Sequence, residues 1–569
     1  MGQIKRIKYM KKKINLVVPP KDYQSKDRKN QGWIFGILFI LMASGCGSKT
    51  EETGSKPPNI LFVISDDQSF YHTSFEGSKF VNTPAFDRIA SEGVYFTNCM
   101  AGSPGCAPSR SSIITGRYHW QNESSGQHAA PWLKKYVPFV DLLEANGYKT
   151  GRTGKGVSPF RYARDEKDSL WRATDAAGIE YSKIRYEEGP ADIRTGDKIN
   201  NLNYFENFKF FLENERKDKP FFFWFGATEP HRAYEKDSWK RTDKKLSDVE
   251  VPAFFPDNDI VRGDMLDYAV EIEWYDRHLD SMINYLEKIG ELENTIIIVT
   301  ADNGMPFPRA KANSYDYGIH VPFAVRYPKH FPGGRIVNDP IGFVDLAPTI
   351  LDLTQTNEEG MLPITGKSIR PLLESEKQGT IDPSKKYAFS GRERHSASRY
   401  QNWGYPQRSI RSKDYLLVWN MKPDRWPAGA PQRINPDDES DLLPLYGIDE
   451  EGISHSDWAF TDVDESPTKS FIIENYQDAA IKPFFDAAFE KNPEVQLFDI
   501  NQDPYCLNNL VNEAQYASVK EEMQAALLNE LTASNDPRVV GPDKEVFDSY
   551  IRYSPMREFP EPIPGSRLK

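Results

Sequence analysis

Asn59-Ile-Leu-Phe-Val-Ile-Ser65, followed at once by Asp66 and Asp67, is a nearly continuous apolar run. Such a run is typical of a strand that is buried on both faces of a parallel sheet. Two similar runs occupy residues 220–226 and 295–300. Between these two, apolar residues recur at helical spacing, namely Met265, Ala269, Ile272, Leu279, Met282 and Leu286. Strands separated by helices predict an α/β domain with a large, mainly parallel sheet.

Polar residues follow each of the three runs. Asp66-Asp67 comes after the first, Glu229-Pro230-His231 after the second and Asp302-Asn303 after the third. Ligands of open α/β sheets bind at the carboxyl edge of the strands, so these residues are expected to share one site. Carboxylate and amide oxygens are the ligands that calcium prefers, whereas zinc or copper would call for more His and Cys. The pattern therefore predicts a Ca²⁺ site made by Asp66, Asp67, Asp302 and Asn303.

The length of 569 residues, 39% of them hydrophobic, indicates more than one domain. We expect the large domain at residues 59–380. Beyond it, the sequence changes to shorter strand-like pieces, such as Tyr415–Trp419 and Gln496–Ile500, with many Pro and Asp. These features predict a smaller C-terminal α+β domain at residues 381–569, with a helix near Ala517 to Ala533.

The first 45 residues resemble an export signal, because basic residues precede a short apolar run from Trp33 to Met42. That run is well short of the ~20 residues that a membrane-spanning helix needs. The following Ala43-Ser44-Gly45-Cys46 resembles a bacterial lipobox, although Ala43 stands where Leu is usual. We expect a lipoprotein-type signal peptide at 1–45, lipidation of Cys46, a polar tether at 46–58, and an exported protein anchored in a bacterial outer membrane by lipid alone. An ordinary signal peptide with a coincidental Cys is the alternative.

The net charge excludes one class of partner. Residues 1–45 hold ten of the 71 Lys and Arg and two of the 83 Asp and Glu, so the remainder has 61 basic and 81 acidic side chains and a net charge of −20. A nucleic acid is therefore not an expected partner. An acidic surface also repels an anionic substrate, so such a substrate needs a local basic pocket.

Three cysteines remain once Cys46 is assigned to lipid, and an odd count leaves at least one thiol unpaired. One of them opens the segment Cys106-Ala-Pro-Ser-Arg110-Ser-Ser-Ile-Ile-Thr-Gly116-Arg117. This segment resembles the sulfatase signature, in which Cys or Ser is followed by x-Pro-Ser-Arg and, six residues later, by Gly. The resemblance implies that a sulfatase-maturation enzyme oxidises Cys106 to formylglycine, whose aldehyde hydrate is the nucleophile.

Apolar residues after Arg110 predict a helix that begins near Ser109. Cys106 would then lie just before the helix N-terminus, where backbone N–H groups and the helix dipole stabilise a bound sulfate. Arg110, one turn further along, can hold the aldehyde hydrate in place.

The resemblance extends from Asn59 to about Leu510 and implies an alkaline phosphatase-like sandwich fold. Gly147-Tyr-Lys-Thr-Gly-Arg-Thr-Gly-Lys155 is similar to a family segment whose Lys binds sulfate oxygens. By position, His231 is implied to bind sulfate or protonate the leaving group, and Lys311 to bridge sulfate and the leaving oxygen. The implied metal ligands are Asp66, Asp67, Cys106, Asp302 and Asn303.

The sequence departs from the family at Val157, where the family usually has a His two positions after the Gly-Lys pair. That His assists the formylglycine hydrate, so its absence leaves the release of sulfate without an assigned base. His119 and His128 lie downstream of Cys106 and are candidates to replace it. A structural role for either is the alternative.

Asp302-Asn-Gly-Met-Pro-Phe-Pro308 with Lys311-Ala-Asn313 is similar to the sulfamidase-like branch, which many bacterial polysaccharide sulfatases resemble. We expect a sulfatase that hydrolyses sulfate esters of a sulfated carbohydrate, algal such as ulvan or a glycosaminoglycan. The alternatives are a sulfamidase of the N-sulfoglucosamine sulfohydrolase type, a phosphatase of the same fold and a non-catalytic glycan-binding lipoprotein. Four basic residues of the smaller domain are candidates to contact a sugar carboxylate or a neighbouring sulfate: Arg394, His395, Arg408 and Arg411. The alternative is that they are ordinary surface charges.

Overall fold

The computed structural model describes residues 56–162, 170–187 and 194–553. The predicted signal peptide and Cys46 lie outside these residues, and their assignment stays a prediction. The described part of the chain forms one compact unit. Among the described residues, no helix is both long and apolar enough to span a membrane.

A seven-stranded sheet forms the centre of the molecule. In chain order its strands are β1 Asn59–Ser65, β2 Val94–Phe96, β3 Lys149–Gly154, β4 Phe221–Gly226, β5 Thr295–Ala301, β6 Phe323–Arg326 and β7 Arg335–Val337. Their order across the sheet is β7-β2-β6-β5-β1-β4-β3. The four adjacent strands β5, β1, β4 and β3, which end at one edge of the sheet, run parallel, and β6 is antiparallel to both of its neighbours. The predicted large and mainly parallel sheet is therefore confirmed.

Helices cover both faces of this sheet. In chain order the α-helices are α1 Pro84–Glu92, α2 Cys106–Thr115, α3 Phe139–Ala145, α4 Tyr204–Phe210, α5 Asp259–Lys288, α6 Asp316–Ile319, α7 Leu346–Leu353, α8 Arg370–Glu374, α9 Pro467–Glu474, α10 Lys482–Phe489, α11 Ala517–Ala533, α12 Pro537–Val540 and α13 Val546–Ser549. Alternate residues of β1 point to opposite faces: Phe62 packs in the cluster with α2, α3 and α7, and Val63 packs in the cluster with α1, α4 and α5. The sheet is therefore the middle layer of a sandwich.

A second, antiparallel sheet follows in the chain. Its strands, in their order across the sheet, are β8 Ala388–Arg392, β9 Gln407–Arg411, β10 Tyr415–Asn420 and β11 Val495–Asp499. Helix α11 covers one face, where Leu527 and Leu531 pack with Leu417 and Leu497. The smaller C-terminal sheet domain is confirmed, as is the predicted helix at Ala517–Ala533. The boundary at residue 380 stays a prediction.

The remaining strands are short. Three two-stranded sheets pair Cys99–Met100 with Ile341–Gly342, Ala130–Pro131 with Phe160–Arg161, and Ile434–Asn435 with Asp438–Leu442. The three cysteines of the described region, Cys99, Cys106 and Cys506, are buried and form no disulfide.

Candidate active site

The carboxyl ends of the four parallel strands bring the predicted polar residues together. β1 is paired in register with β5 on one side and with β4 on the other, so all of these strands end at the same edge. Asp66 follows β1, Asp302 follows β5, and Lys155 follows β3. Lys155 Nζ donates a hydrogen bond of 2.6 Å to Asp66 Oδ2. The structure therefore brings these side chains together at one edge of the sheet, as the sequence predicted.

Helix α2 begins at Cys106, three residues earlier than expected, so the predicted start near Ser109 is wrong. Pro108 lies within the first turn, where a residue without an N–H costs nothing because those N–H groups lack intrahelical acceptors. Cys106 is thus the first helical residue, only 2% exposed, with Gly105 as the N-cap. Its side chain lies at the positive end of the helix dipole, which favours an anion there.

Three of the predicted metal ligands form a compact set. One ligand atom each from Asp66, Cys106 and Asp302 lie within 4.8 Å of one another. Among the described residues, no hydrogen-bond partner reaches the buried Asp66 Oδ1 or the buried Asn303 Oδ1. Because buried oxygens without donors are costly, these atoms suit a hard cation such as calcium. The carboxylate and amide oxygens of this set therefore fit the predicted metal.

Arg110 connects the nucleophile helix to this set. Its Nε donates to Asp302 Oδ2 at 2.7 Å, and its Nη1 donates to the carbonyl oxygens of Lys155 and Gly156, both at 3.0 Å. Its Nη2 lies 3.8 Å from Asp66 Oδ1. The side chain is fully buried. One guanidinium therefore joins the ends of β1, β3 and β5.

The second aspartate, Asp67, makes a separate cluster. Lys311 Nζ donates to Asp67 Oδ2 at 2.7 Å, and Asn303 Nδ2 donates to Asp67 Oδ1 at 2.8 Å. The same lysine donates at 3.0 Å to Asp464, which no sequence motif indicated because it lies in an irregular segment far along the chain. Ligand atoms of Asp67, His231 and Asp464 also lie within 4.8 Å of one another. Lys311 thus reaches the site from the loop after β5, as the resemblance implied.

Burial and neighbouring charges shift the pKa values of the buried acids, the lysine and the thiol of this site. Burial raises the pKa of the Asp66 carboxyl, but neighbouring positive charge, that of Lys155 foremost, outweighs burial and brings the pKa below its usual range. Burial lowers the pKa of Lys155, and Asp66 more than reverses this, so the pKa rises and the lysine stays cationic. Burial also raises the pKa of the Cys106 thiol. Because only the thiolate is a strong nucleophile, an unmodified Cys106 would be unreactive here.

A cavity of about 570 Å³ opens beside this cluster. His231 lines it, and its Nδ1 lies 2.6 Å from the carbonyl oxygen of Arg232. Since a carbonyl oxygen only accepts, Nδ1 carries a proton, and Nε2 lies 3.8 Å from Asp67 Oδ2. Other residues that line the cavity were not expected from the sequence, namely Lys198, Asn200, Asn201 and Glu271.

The candidate histidines have different surroundings in the structure. Val157 is buried in the core, so its side chain makes no part of the site. His119 is also buried, with Nδ1 3.1 Å from the Gly102 carbonyl oxygen, which indicates a structural role. His128 is half-buried, and its ring centre lies 5.1 Å from that of His395. A Cβ on Gly105 would lie 3.2 Å from His395 Nδ1, so His395 lies beside the residue that precedes the nucleophile.

The expectation that Arg394, Arg408 and Arg411 contact sugar or are surface charges is wrong. All three are buried. Arg408 pairs with Glu393 at 2.7 Å and with Asp536 at 2.6 Å, and Arg411 pairs with Asp316 at 2.9 Å. Arg394 donates to Gln127 at 3.0 Å. Composition alone did not distinguish buried structural arginines from exposed ones, because their acidic partners are distant in sequence.

Replacing Arg408 with Ala should therefore reduce stability. The change leaves the buried Asp536 without its cation and removes one of the two arginines that pair with the buried Glu393, which keeps Arg538. Breaking a buried ion pair typically costs about 3–5 kcal/mol. Arg88 is a matched control because its pairs with Glu92 and Glu287 are at the surface, where the loss is about 0–1 kcal/mol. Urea unfolding measures both variants. A fully stable Arg408→Ala with selectively impaired glycan turnover would instead support sugar contact.

Comparison with known proteins agrees with this geometry. A family model described as Sulfatase matches residues 58–356, more than half of the chain, and one described as N-sulphoglucosamine sulphohydrolase, C-terminal, matches residues 310–427. An ulvan-active sulfatase of Formosa agariphila is 25% identical over 493 residues, covering 85% of this chain and 81% of its own. Human N-sulphoglucosamine sulphohydrolase is 24% identical over 528 residues, covering 86% of this chain and 93% of its own.

A solved structure shares the fold. It is that of a protein in complex with its substrate, D-glucosamine-2-N,6-O-disulfate, with a TM-score of 0.58, 20% identity, and coverage of 86% of this chain and 99% of that chain. The expected alkaline phosphatase-like sandwich is confirmed by such neighbours. Because the Sulfatase model spans more than half of the sequence, this chain belongs to the sulfatase family.

Proposed function

We propose that the protein hydrolyses sulfate esters of a sulfated polysaccharide or oligosaccharide, with formylglycine at position 106 and Ca²⁺ as its cofactors. The observation that carries this proposal is the set formed by Asp66, Cys106 and Asp302, whose ligand atoms lie within 4.8 Å of one another and whose carboxylates are bonded to cationic side chains. Ulvan and glycosaminoglycans are the favoured substrate classes, because relatives are described as an ulvan-active sulfatase and as N-sulphoglucosamine sulphohydrolase.

The side chains have distinct tasks in this reaction. Lys155 and Lys311 would hold the sulfate oxygens, because their pKa values are raised by neighbouring carboxylates and they stay charged. The calcium ion, held by Asp66, Asp67, Asp302, Asn303 and residue 106, would supply Lewis-acid polarisation. A formylglycine hydrate at position 106 would supply one hydroxyl as the nucleophile and a second hydroxyl, whose loss of a proton lets sulfate leave as the aldehyde re-forms.

His231 is the proposed acid for the leaving group. The side chain lines the cavity and its Nε2 lies 3.8 Å from Asp67 Oδ2, so an imidazolium there can transfer its proton to the sugar oxygen as the S–O bond breaks. Arg110 would orient residue 106 through its bonds to the neighbouring strand ends. The alcohol and inorganic sulfate are the two products, and water supplies the remaining atoms.

A sulfamidase activity is a second candidate. The match of residues 310–427 to a model described as N-sulphoglucosamine sulphohydrolase, C-terminal, favours it. A non-catalytic glycan-binding protein is disfavoured, because the basic and acidic side chains of the site are all present and mutually bonded.

Release of inorganic sulfate from defined glycans tests the function. The protein is made together with a sulfatase-maturation enzyme and is given O-sulfated and N-sulfated oligosaccharides of ulvan and glycosaminoglycan type. We expect sulfate from at least one O-sulfated glycan and none from a Cys106→Ala control. Release from N-sulfated sugars alone would favour the sulfamidase, and release from none would contradict the proposal.

We also propose that the protein is exported and lipid-anchored in a bacterial outer membrane. The lipobox-like Ala43-Ser44-Gly45-Cys46 supports this location. Labelled fatty acid should be incorporated into the wild-type chain in cells and lost in Cys46→Ala. Label that persists in Cys46→Ala would show that the lipobox assignment is wrong.

A further inference from the structure

A second cavity, of about 860 Å³, lies in the smaller domain, and its lining differs from that of the catalytic cavity. Aromatic and charged side chains share its walls, among them Tyr400, Trp403, Asp424, Arg425, Trp426 and Lys491. None of these residues takes part in the proposed chemistry, so the cavity needs a separate explanation.

The tryptophans of this cavity are half-buried and carry cations on their rings. The Arg425 guanidinium lies 4.6 Å from the Trp403 ring centre, and the Lys491 ammonium lies 5.2 Å from the Trp426 ring centre. Tyr400 meets Trp403 edge to face at 5.1 Å. Flat indole faces suit the apolar C–H face of a pyranose ring, while nearby cations suit its anionic substituents.

The charged side chains of the cavity differ in whether they are free to bind a ligand. Arg425 is committed to structure, because it pairs with Asp548 at 3.1 Å and donates to the Gly404 carbonyl oxygen at 2.8 Å. Lys491 is exposed, its ammonium lies over the Trp426 ring, and no salt bridge joins it to a carboxylate of the described residues. Asp424 is also exposed and can accept hydrogen bonds from sugar hydroxyls. On an acidic protein, an unpaired lysine beside two tryptophans is a local attraction for an anionic ligand.

The walls of the cavity are fixed by the scaffold. Arg399 donates to the Trp426 carbonyl oxygen at 2.5 Å and pairs with the buried Asp462 at 2.6 Å. Asp462 also accepts from the backbone of Ser396 at 3.0 Å. A rigid wall lowers the entropic cost of binding, since little has to be ordered when the ligand arrives.

One chain segment links this cavity to the catalytic centre. His395 lies beside Gly105, the residue before the nucleophile, and Arg399 lines the second cavity. Arg399 is four positions after His395, and a fully extended chain spans at most ~3.6 Å per residue, so their Cα atoms are at most about 14 Å apart. The second cavity therefore lies within the length of a short oligosaccharide of the segment that carries the nucleophile.

We propose that this cavity is a second carbohydrate subsite, which holds a further unit of the same anionic glycan chain. The indole faces of Trp403 and Trp426 stack on the pyranose ring, and Lys491 binds its sulfate or carboxylate. The inference rests on the proposed function, because it names the polymeric nature of the substrate.

Two variants test the subsite: Trp403→Ala removes a stacking face, and Lys491→Gln removes the charge from an exposed side chain. Each is compared on a sulfated hexasaccharide and on the corresponding sulfated monosaccharide. We expect the ratio of kcat/KM for the hexasaccharide to that for the monosaccharide to fall about tenfold in both. Trp458→Ala, a half-buried tryptophan outside the cavity, should leave the ratio unchanged. An unchanged ratio in both test variants would overturn the proposal.

A binding measurement distinguishes the subsite from the chemistry. In a Cys106→Ala background, calorimetry with the intact hexasaccharide should show about tenfold weaker binding when Trp403→Ala is added. If the wild type releases no sulfate but this loss of affinity is seen, the subsite stands and the proposed function fails. Equal affinity with and without Trp403 would refute the subsite even in an active enzyme. Loss of Lys491 should weaken binding of the sulfated chain more than binding of its desulfated form, and equal losses would contradict the assigned charge contact.

Discussion

Arg110→Ala is expected to reduce kcat on every sulfated substrate by at least about 10²–10³-fold, the usual cost of removing an electrostatic contact from an active site. Arg110 is fully buried and joins Asp302 to the carbonyl oxygens of Lys155 and Gly156. Without it, Asp302 and Asp66 lose a shared cation beside residue 106. Steady-state sulfate release measures the effect.

Loss of folding is the competing explanation, because breaking a buried pair typically costs about 3–5 kcal/mol of stability. Arg110→Lys keeps the positive charge but loses the forked set of guanidinium N–H donors. This variant should therefore fold better than Arg110→Ala and still hydrolyse substrate slowly. Arg117→Ala, just beyond the other end of the same helix, is the matched control and should keep nearly full activity. Wild-type turnover by a folded Arg110→Ala would contradict the role of this side chain.

Removal of divalent metal should abolish turnover, and calcium alone should restore it. Burial and the nearby Asp66 raise the pKa of the Asp302 carboxyl even though Arg110 and Lys155 lie beside the pair, so a further cation between these two buried acids is favoured. A cation that binds between them also stabilises the fold, by about 2.7 kcal/mol at a hundred times its Kd. The measurements are sulfate release and thermal unfolding after chelation and addition of single metals.

Asp66→Asn should lose both the activity and the stabilisation by calcium. Asp257→Asn, a change at an exposed acid on the surface, is the matched control and should keep both. Rescue by zinc and not by calcium would contradict the metal assignment. So would a melting temperature that calcium leaves unchanged in the wild type.

The central sheet and its functional edge could be predicted from sequence because the signals are local. β1, β4 and β5 are continuous apolar runs, and the residues that follow them are polar. Parallel strands that end at one edge bring such residues together whatever the details of the loops. The helix at Ala517–Ala533 was predicted for the same reason, since its pattern lies within one segment.

Features that depend on distant partners could not be predicted. Asp464 reaches Lys311 across more than 150 positions of the chain, and Arg408 finds Asp536 across 128. No local pattern encodes either pairing, so a buried structural arginine and a sugar-binding one looked alike. The start of α2 was missed because the prediction rested on the apolar residues after Arg110, whereas the first turn of the helix, which contains Pro108, carries no such signal.

The state of residue 106 tests the central claim most directly. The protein is produced with and without a sulfatase-maturation enzyme, and the peptide that contains residue 106 is examined by mass spectrometry alongside sulfate release from the same samples. We predict formylglycine at position 106 in the active preparation, with turnover in proportion to the fraction converted. An active enzyme with an unmodified Cys106 thiol would contradict the account.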